Sequence, residues 1–435
     1  MRYVAFVAVI VGMLALALVD RGSPASSVQT DPFSSGYMRH LQSGSLETLV
    51  AGSAPPNGES VGRNRWMFDP GPPRDTETSL AVDPRDPDRV LVAWQEDISL
   101  VWTARTEDGG RRWTVEALRD PDTRSVAFDQ EGFDPTAAIG PDGTMYVLMG
   151  VTEIPGGLTL VRLDKEGWSF HRVDAVGDVH AWDAMHLAVA PDTGELYAVA
   201  QSIDHRGIGF WQSSDRGDSW SVVRFPQVET PQGAAQVAQD GINYWPRIAA
   251  GPDGLVLIVT KAILNGGSDI RTTVSSDGGE TFGPLAPLTD EPLSGRLVGV
   301  PPAFDGARAF VGFVTDDIVL AEAKKAVGPW QLRRFPRSDR KWDPDWSTVT
   351  ARNGTVWILH TEQNSRPSWR ALLTRIRGES IKTTTLASTT TQQPRGTRPG
   401  DEYGGLGVGK DGCVWASWAH PSRSGAPVIM VTKQC

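Results

Sequence analysis

The sequence predicts an all-β protein, a seven-bladed β-propeller of four-stranded antiparallel blades. Three observations predict it: a turn motif that occurs three times, a turn-and-strand unit that occurs seven times, and almost no helical periodicity. The repeated units lie about 45–60 residues apart, which is the size of one four-stranded blade. A chain of 435 residues built in this way forms a closed ring of blades and needs no single compact core.

The turn motif reads S/T-x-D-x-G-x-x-W/F. Its hydroxyl and carboxylate can accept hydrogen bonds from backbone N–H groups of the turn, and its glycine permits a positive φ. Its aromatic residue is placed to fold back onto the blade. The three copies are Thr106–Trp113, Ser213–Trp220 and Ser275–Phe282. The residues predicted to hold these turns are Asp108, Trp113, Asp215, Trp220, Asp277 and Phe282.

The second repeat is a short strand, a turn, and then an apolar strand rich in branched and aromatic residues. We interpret these as strands A and B of each blade, with strands C and D following. The seven turns begin at Asp86, Pro141, Pro191, Pro252, Asp305, Asn353 and Asp411. The unit from Val298 to Arg334 is the weakest, and a ring of six blades is the alternative if it merges with a neighbour.

The last unit, Tyr403–Cys435, has room for only three strands. The stretch Gly62–Phe68 is predicted to supply the fourth, which closes the ring and removes an open sheet edge. Cys413 opens one strand of this unit and Cys435 ends the next. Folding as a hairpin brings these two cysteines together, so we predict a disulfide, with two unpaired thiols as the alternative.

The N-terminus is predicted to be a signal peptide covering residues 1–25. Arg2 precedes an apolar run from Tyr3 to Val19, and small residues around Ala25 offer a cleavage site. A retained N-terminal anchor is the alternative. Residues 26–62 are rich in Ser, Gly and Pro and are predicted to form a flexible arm, with the propeller at 63–435. We therefore expect a secreted or extracytoplasmic protein with no membrane span apart from the signal segment.

The charge and the motifs exclude several classes of function. The formal net charge of −10 argues against non-specific nucleic-acid binding. The sequence has no G-x-S-x-G element, no phosphate-binding loop and no zinc-ligand spacing. We expect a monomer without a cofactor. Ca²⁺ is the metal ion that its carboxylates could hold, because all ligands would be oxygen.

An acidic residue beside an aromatic one recurs in the loops that precede strand A. Such loops predict a funnel over the ring axis, where rings stack on sugar faces and carboxylates bind hydroxyls or transfer protons. The alternative is structural, with the acids bonding neighbouring backbone and the rings packing between blades. The substrate-binding candidates of this type are Trp182, Asp183, Tyr244, Trp245, Trp342 and Asp343.

The three S/T-x-D-x-G-x-x-W/F turns resemble the Asp-box, or BNR, repeats of the sialidase superfamily. In that family the boxes lie on outer C–D turns, and ligands bind at the opposite face, over the central tunnel. Similar repeats also occur in other glycosidases and in proteins with no known catalysis. The resemblance therefore implies the fold more strongly than the function.

Sialidases use a tyrosine nucleophile activated by a glutamate, an aspartate acid/base and three arginines that clamp the substrate carboxylate. The resemblance implies Tyr403 as nucleophile, Glu362 as its partner, and Asp134 or Asp75 as acid/base. The family's Phe/Tyr-Arg-Ile-Pro stretch is absent from this sequence. Three other arginines in loops on the ligand face could form a different anionic clamp, or pair with neighbouring acids: Arg247, Arg340 and Arg398.

The predicted function is therefore an exported propeller that engages a carbohydrate or glycoconjugate, of the sialidase-like glycosidase type. The alternative is a non-catalytic propeller that binds or scaffolds at the cell surface. A third hypothesis is a polysaccharide lyase, in which histidine and tyrosine move protons and arginine neutralises a uronate. Its candidate residues are His180, His186, Tyr244 and Arg247.

Overall fold

A computed structural model gives the fold. It describes residues 48–50, 65–68, 75–96, 100–119, 132–151, 157–173, 182–202, 208–224, 242–264, 267–289, 300–326, 328–337, 341–364, 368–389, 404–421 and 427–435. The predicted signal peptide lies outside the described residues, as does the predicted arm apart from its residues 48–50. Within the described ranges every regular element is a strand.

Seven antiparallel sheets form seven blades, which confirms the predicted fold class. Blade 1 contains β3 (Asp75–Val82), β4 (Val90–Glu96), β5 (Leu100–Thr106) and β6 (Arg112–Ala117). Blade 2 contains β7 (Gly132–Ile139), β8 (Met145–Val151), β9 (Gly157–Asp164) and β10 (Gly167–Arg172). Blade 3 contains β11 (Trp182–Val189), β12 (Leu196–Ser202), β13 (Ile208–Ser213) and β14 (Ser221–Arg224). A further strand, β1 (Thr48–Val50), pairs with β6 at the outer edge of blade 1.

Blades 4 to 6 follow the same order of strands A to D. Blade 4 contains β15 (Ile242–Ala250), β16 (Val256–Leu264), β17 (Gly267–Ser275) and β18 (Ala286–Pro287). Blade 5 contains β19 (Pro302–Asp305), β20 (Arg308–Val314), β21 (Asp317–Ala323) and β22 (Gln331–Pro336). Blade 6 contains β23 (Trp342–Arg352), β24 (Thr355–Asn364), β25 (Trp369–Arg377) and β26 (Ser380–Thr389). The weak unit thus forms blade 5 by itself, so the six-bladed alternative is wrong.

Blade 7 is built from both ends of the propeller. It contains β27 (Gly405–Val408), β28 (Val414–Pro421), β29 (Pro427–Gln434) and the N-terminal β2 (Arg65–Phe68). β2 pairs antiparallel with β29, with Arg65 opposite Val431. The predicted closure of the last blade by an N-terminal strand is confirmed.

The core lies between the blades, because the inner strands are apolar on both faces. All seven residues of β4 and all seven of β8 are buried, which is why these strands are continuous apolar runs. One cluster joins Leu148 of blade 2 to Ala198 and Trp211 of blade 3. Each blade therefore stabilises its neighbours through buried apolar area.

The three repeated turns connect strands C and D, as predicted. In each, the glycine N–H donates to the first hydroxyl, at 3.0 Å for Gly110, 2.9 Å for Gly217 and 2.8 Å for Gly279. These glycines have φ between 84° and 92°. Their backbone also lies against the preceding blade, where a Cβ would come within 2.9 Å of Trp415 at Gly110 and 2.8 Å of Phe210 at Gly279. Glycine is required there both for conformation and for space.

The aromatic residues of these turns pack onto the preceding blade. Trp113 of blade 1 is buried and meets Trp415 of blade 7 edge to face at 6.1 Å. Phe282 of blade 4 meets Phe210 of blade 3 edge to face at 5.0 Å. Trp220 packs against the cluster shared by blades 2 and 3. The turns thus fasten neighbouring blades together.

Cys413 and Cys435 form a disulfide across β28 and β29, which confirms the predicted pairing. The bond joins residues 22 positions apart. It ties the outgoing end of β29 to the strand beside it. Within the described residues, no helix could span a membrane.

We expect the double substitution C413S/C435S to lower the thermal midpoint by roughly 5 °C. Closing a loop of this length stabilises a fold by about 3 kcal/mol through the unfolded-chain entropy. Calorimetry with and without reductant checks it: reductant should lower the midpoint of the native protein and leave that of the double variant unchanged. Equal midpoints for the native protein and the double variant, both without reductant, would contradict the prediction.

The turn carboxylates predict an acid-sensitive stability. Hydrogen bonds from Ser219 and Ser213 lower the pKa of Asp215 to about 2, and hydrogen bonds from Ser275 and Thr281 lower the pKa of Asp277 to about 2. A carboxyl whose pKa is lower in the folded state stabilises the fold above its unfolded pKa near 3.9 and loses that effect as the pH falls toward 2.

We therefore expect the stability of the native protein to fall between pH 4 and pH 2, and D215N/D277N to show a shallower fall. Urea unfolding followed by tryptophan fluorescence at each pH measures this. The matched control is E166Q, which removes an exposed carboxylate from the C–D turn of blade 2. A control as shallow as the double variant would contradict the prediction.

Candidate functional site

The candidate site begins where strand A enters each blade, because five A strands carry a β-bulge there. The bulges lie between Thr76 and Ser79, Phe133 and Thr136, Asp183 and His186, Tyr244 and Arg247, and Pro344 and Ser347. In four of them a residue other than glycine has a positive φ: Glu77 at 52°, Asp134 at 49°, Ala184 at 53° and Trp245 at 53°. Such backbone costs about 1–3 kcal/mol each and re-aims side chains at one end of the ring.

The preceding blade holds two of these bulges in place. The side-chain oxygen of Gln95 accepts the backbone N–H of Asp134 at 3.0 Å, and that of Gln201 accepts the N–H of Trp245 at 2.9 Å. Both glutamines are buried near the end of a B strand. Glu362 occupies the corresponding register position in blade 6, opposite Pro344 of the bulged strand.

Asp134 lies at the centre of a carboxyl cluster with Glu77 and Asp183. Its Oδ2 accepts the N–H of Ala184 at 2.8 Å, and Asp183 Oδ1 accepts the same N–H at 2.9 Å. Burial, with a smaller effect of the negative charge of Asp183, raises the pKa of Asp134 to about 7, and a hydrogen bond with Glu77 opposes the rise. Near neutral pH this group therefore exists in both protonation states.

The central channel of the ring runs past this cluster and encloses about 280 Å³. All seven A strands contribute to its wall. The lining is rich in hydroxyl groups: Thr78, Ser79, Thr136, Ser347, Thr348 and Thr350. Asp134, His186 and Arg247 lie in the same wall. A channel of this kind can hydrogen-bond a polar, hydroxyl-bearing ligand.

His186 offers a hydrogen-bond donor in this wall. Its Nδ1 accepts the backbone N–H of Ile248 at 3.4 Å, so the neutral ring carries its proton on Nε2. Burial and the nearby charge of Arg247 lower the pKa of His186 to about 3. The ring is therefore neutral at physiological pH.

Arg247 links blades 3 and 4. Its side chain is buried, and Nη1 donates to the carbonyl of Ala184 and to that of Pro246, each at 2.9 Å. The guanidinium thus holds the bulge of the preceding blade through the carbonyl of Ala184, whose N–H is bound by Asp134 and Asp183. This contact joins the predicted residues Arg247, Asp134 and Asp183 around one backbone residue.

A second charged cluster surrounds Glu362, which is 1% exposed. Arg370 donates to its Oε2 from Nε at 2.7 Å and from Nη2 at 2.5 Å, and Arg337 Nη1 lies 3.5 Å from its Oε1. The Arg370 guanidinium also stacks on the ring of Trp342, 4.3 Å from its centroid. Burial and these two arginines lower the pKa of His360 to about 3, so His360 adds no charge.

The predicted site residues therefore divide into two clusters and a remainder. Trp182 is buried and meets Trp211 edge to face at 4.7 Å, inside blade 3. Trp245 is half-buried, with the ammonium of Lys261 5.2 Å from its ring centroid. The side chains of Asp75, Tyr244 and Asp343 lie outside the described residues, as do the whole residues Tyr403, Arg340, Arg398 and His180. Within the described ranges no group of three or more His, Cys, Asp or Glu is arranged to hold a metal ion.

Sequence reasoning missed the partners that hold these clusters. Gln95 and Gln201 each follow a long apolar run, and a polar residue at that place was the available signal. Arg337 and Arg370 lie 25 and 8 positions from Glu362, and nothing in the sequence connects them.

No protein-family model matches the sequence, and no curated protein matches it. Among solved structures, an ulvan lyase of the PL25 polysaccharide lyases is 11% identical with a TM-score of 0.53, over 83% of this chain and 94% of that one. The sialidase of Trypanosoma rangeli is 12% identical with a TM-score of 0.46, over 70% and 55%. The fucose-specific lectin of Aleuria aurantia is 13% identical with a TM-score of 0.45, over 75% and 100%. At such identities the likeness concerns the fold alone.

Proposed function

We propose that this protein engages carbohydrate at the strand-A end of its central channel and cleaves it as a glycoside hydrolase of the sialidase-like type. The observation that carries the proposal is Asp134, a buried carboxyl with a pKa raised to about 7 in the wall of a hydroxyl-lined channel. Glycoside cleavage needs a carboxyl group that is still protonated near neutral pH, with a second carboxylate close by.

The chemistry of this site follows from its geometry. Protonated Asp134 would give its proton to the leaving-group oxygen of the glycoside. The negative charge of Asp183 raises the pKa of Asp134 and so favours its protonated form. The Nε2–H of neutral His186 and the channel hydroxyls would bind sugar hydroxyls. Tyr403 remains the proposed nucleophile, and Asp75 the alternative acid/base.

The sialidase carboxylate clamp receives less support than the proton donor. Arg247 already donates to two backbone carbonyls. Arg337 and Arg370 both pair with the carboxylate of Glu362, so that carboxylate occupies the place where a substrate carboxylate would bind between them. We therefore propose a glycoside as the substrate class, and the acidic sugar of the sialidases as one member to be tested.

A carbohydrate ligand is also compatible with the fold comparison. The PL25 ulvan lyase, whose fold is similar over most of both chains, has been solved with a polysaccharide fragment bound. Lyase chemistry in this chain would require a base, and His186 is the candidate base whose side chain the structure describes. A pKa of about 3 makes it a weak base at neutral pH, so hydrolysis is the better proposal.

A non-catalytic binding function is the second candidate, and the Glu362 cluster favours it. Both carboxylate oxygens of Glu362 already face arginine, so the predicted activation of Tyr403 competes with two guanidinium groups. In this case Trp342, with Arg370 stacked on it, would be a platform for a sugar ring.

The full chain can be screened against fluorogenic glycosides, including sialosides, and D134N compared with the native protein. We expect D134N to lower kcat/KM by about 100-fold or more, because it removes the proton donor. In the native protein activity should fall as the pH rises above about 7, since Asp134 must be protonated to act. D134N should lose that alkaline limb.

The matched control is D253N, which changes another aspartate with a positive φ, on the A–B turn of blade 4. It should leave both the rate and the pH profile unchanged. Persistence of the alkaline limb in D134N would overturn the role of Asp134, and the same rate loss in D253N would point to folding.

If no glycoside is turned over, glycan-array binding tests the second candidate. We expect W342A to weaken such binding about fivefold, because stacking of a sugar on an aromatic ring contributes on the order of 1 kcal/mol. The control is W330A, which removes a half-buried tryptophan at the C–D turn of blade 5. Equal losses in the two variants would contradict a platform at Trp342.

A further inference from the structure

One face of blade 6 carries four cations at the end of the blade formed by its A–B and C–D turns. Directly opposite residues on neighbouring strands share a face. Two rows of directly opposite residues define the cationic face of blade 6. The first row is Arg352, Thr355, Arg377 and Ser380, and the second is Thr350, Trp357, Arg375 and Lys382. The four cations are Arg352, Arg375, Arg377 and Lys382. Trp357 packs with Val414 and Trp418, so the face turns toward blade 7.

These four cations have no ion pair within the part of the chain that the structure describes. Arg375, Arg377 and Lys382 are exposed, and Arg352 is half-buried. On the adjacent blade 5, by contrast, Arg308 and Arg333 both lie within reach of Glu322. The cluster is therefore a local concentration of positive charge on a chain whose net charge is −10.

The arrangement is unfavourable for the protein by itself. Arg375 lies directly opposite Lys382 on the neighbouring strand, and like charges at such positions destabilise a sheet. Arg377 is two residues along on the same face, about 7 Å from Arg375. An anionic ligand that bridges these groups would remove the repulsion.

We propose that this face binds an anionic polysaccharide, through carboxylate or sulfate groups spaced along an extended chain. Cations about 5 Å apart across the strands and about 7 Å apart along them can each meet a separate anionic group. Ser380 and Thr384 add hydroxyls on the same face. Guanidinium groups suit carboxylate and sulfate because their N–H donors have a fixed, forked geometry that matches two anion oxygens.

A sparsely charged polymer fits this surface better than a nucleic acid. Duplex DNA carries one charge per about 1.7 Å, and the acidic remainder of the protein would repel it beyond the four cations. The one aromatic residue of the two rows, Trp357, is 7% exposed and cannot stack on a base.

The surface is separate from the channel site. Arg352 and Arg377 flank the A–B and C–D turns of blade 6, whereas Asp134 lies at the strand-A entry of blade 2, the opposite end of the strands. The inference therefore goes beyond the proposed function, and it stands whether or not the channel site is catalytic.

The full chain can be tested for binding to polygalacturonate, dextran sulfate and neutral dextran by biolayer interferometry at two salt concentrations. We expect binding to one or both charged polymers and none to dextran, with weaker binding at high salt. R375T/K382T should weaken it about tenfold or more, because two of the four cations are lost. It should also raise the thermal midpoint, because the opposed like charges are removed.

The matched control is R111T/K165T, which removes two exposed cations from the C–D turns of blades 1 and 2. It should change binding by less than about twofold. D134N should also bind as the native protein does, so the two proposals fail separately. Equal weakening by both double variants, no binding to either charged polymer, or tighter binding to duplex DNA or to phosphatidylserine vesicles would each overturn the proposal. Preference for one of the two charged polymers would identify the anion as carboxylate or sulfate.

Discussion

The pairing of β2 with β29 is the contact on which the rest of the structure depends. Seven blades close into a ring only if the first and last are held together. The short strand β2 brings the N-terminal segment into the last blade, and Thr78 and Trp113 of blade 1 contact Ser417 and Trp415 of blade 7. Without β2, β29 would end as an unpaired sheet edge at the outside of blade 7. The disulfide at Cys413 and Cys435 stabilises the same blade from its other end. Backbone hydrogen bonds and a covalent bond thus both stabilise the blade that contains the two ends of the propeller.

Ring closure also determines where chemistry can occur. It brings the bulged ends of the A strands together around one axis, so groups far apart in sequence become neighbours. Asp134 and Asp183 belong to different blades, yet both accept the N–H of Ala184. The strained backbone at Asp134 persists because Gln95 of the preceding blade accepts its N–H. Packing between blades therefore maintains a carboxyl environment that neither blade would produce alone.

The blades could be predicted from the sequence because their turns require particular residues. Gly110, for example, needs both a positive φ and the absence of a side chain against Trp415. The bulges could not be predicted in this way. The residues with positive φ there include Glu77, Ala184 and Trp245, none of which favours that conformation, so inter-blade contacts impose it.

The candidate site was therefore only partly predictable. Asp183 is predicted from an acid beside an aromatic, Asp134 from the family resemblance and Arg247 from its loop, and all three lie around Ala184. The partners of Glu362, by contrast, come from the register of β24 with β25, which places Arg370 opposite Glu362, and from Arg337, which follows the last strand of blade 5. Long-range ion pairs of this kind are decided by tertiary packing, which a single sequence does not encode locally.

The direction in which the turn aromatics pack has a consequence for the order of assembly. Phe282 of blade 4 packs on Phe210 of blade 3, and Trp220 of blade 3 packs on the cluster that blades 2 and 3 share, so each rests on a surface that includes a blade made earlier by the ribosome. These blades can be added one at a time as the chain emerges. Trp113 of blade 1 rests instead on Trp415, in the last blade to be made. The tryptophan of the first blade therefore has no partner to pack on until the seventh blade has been made.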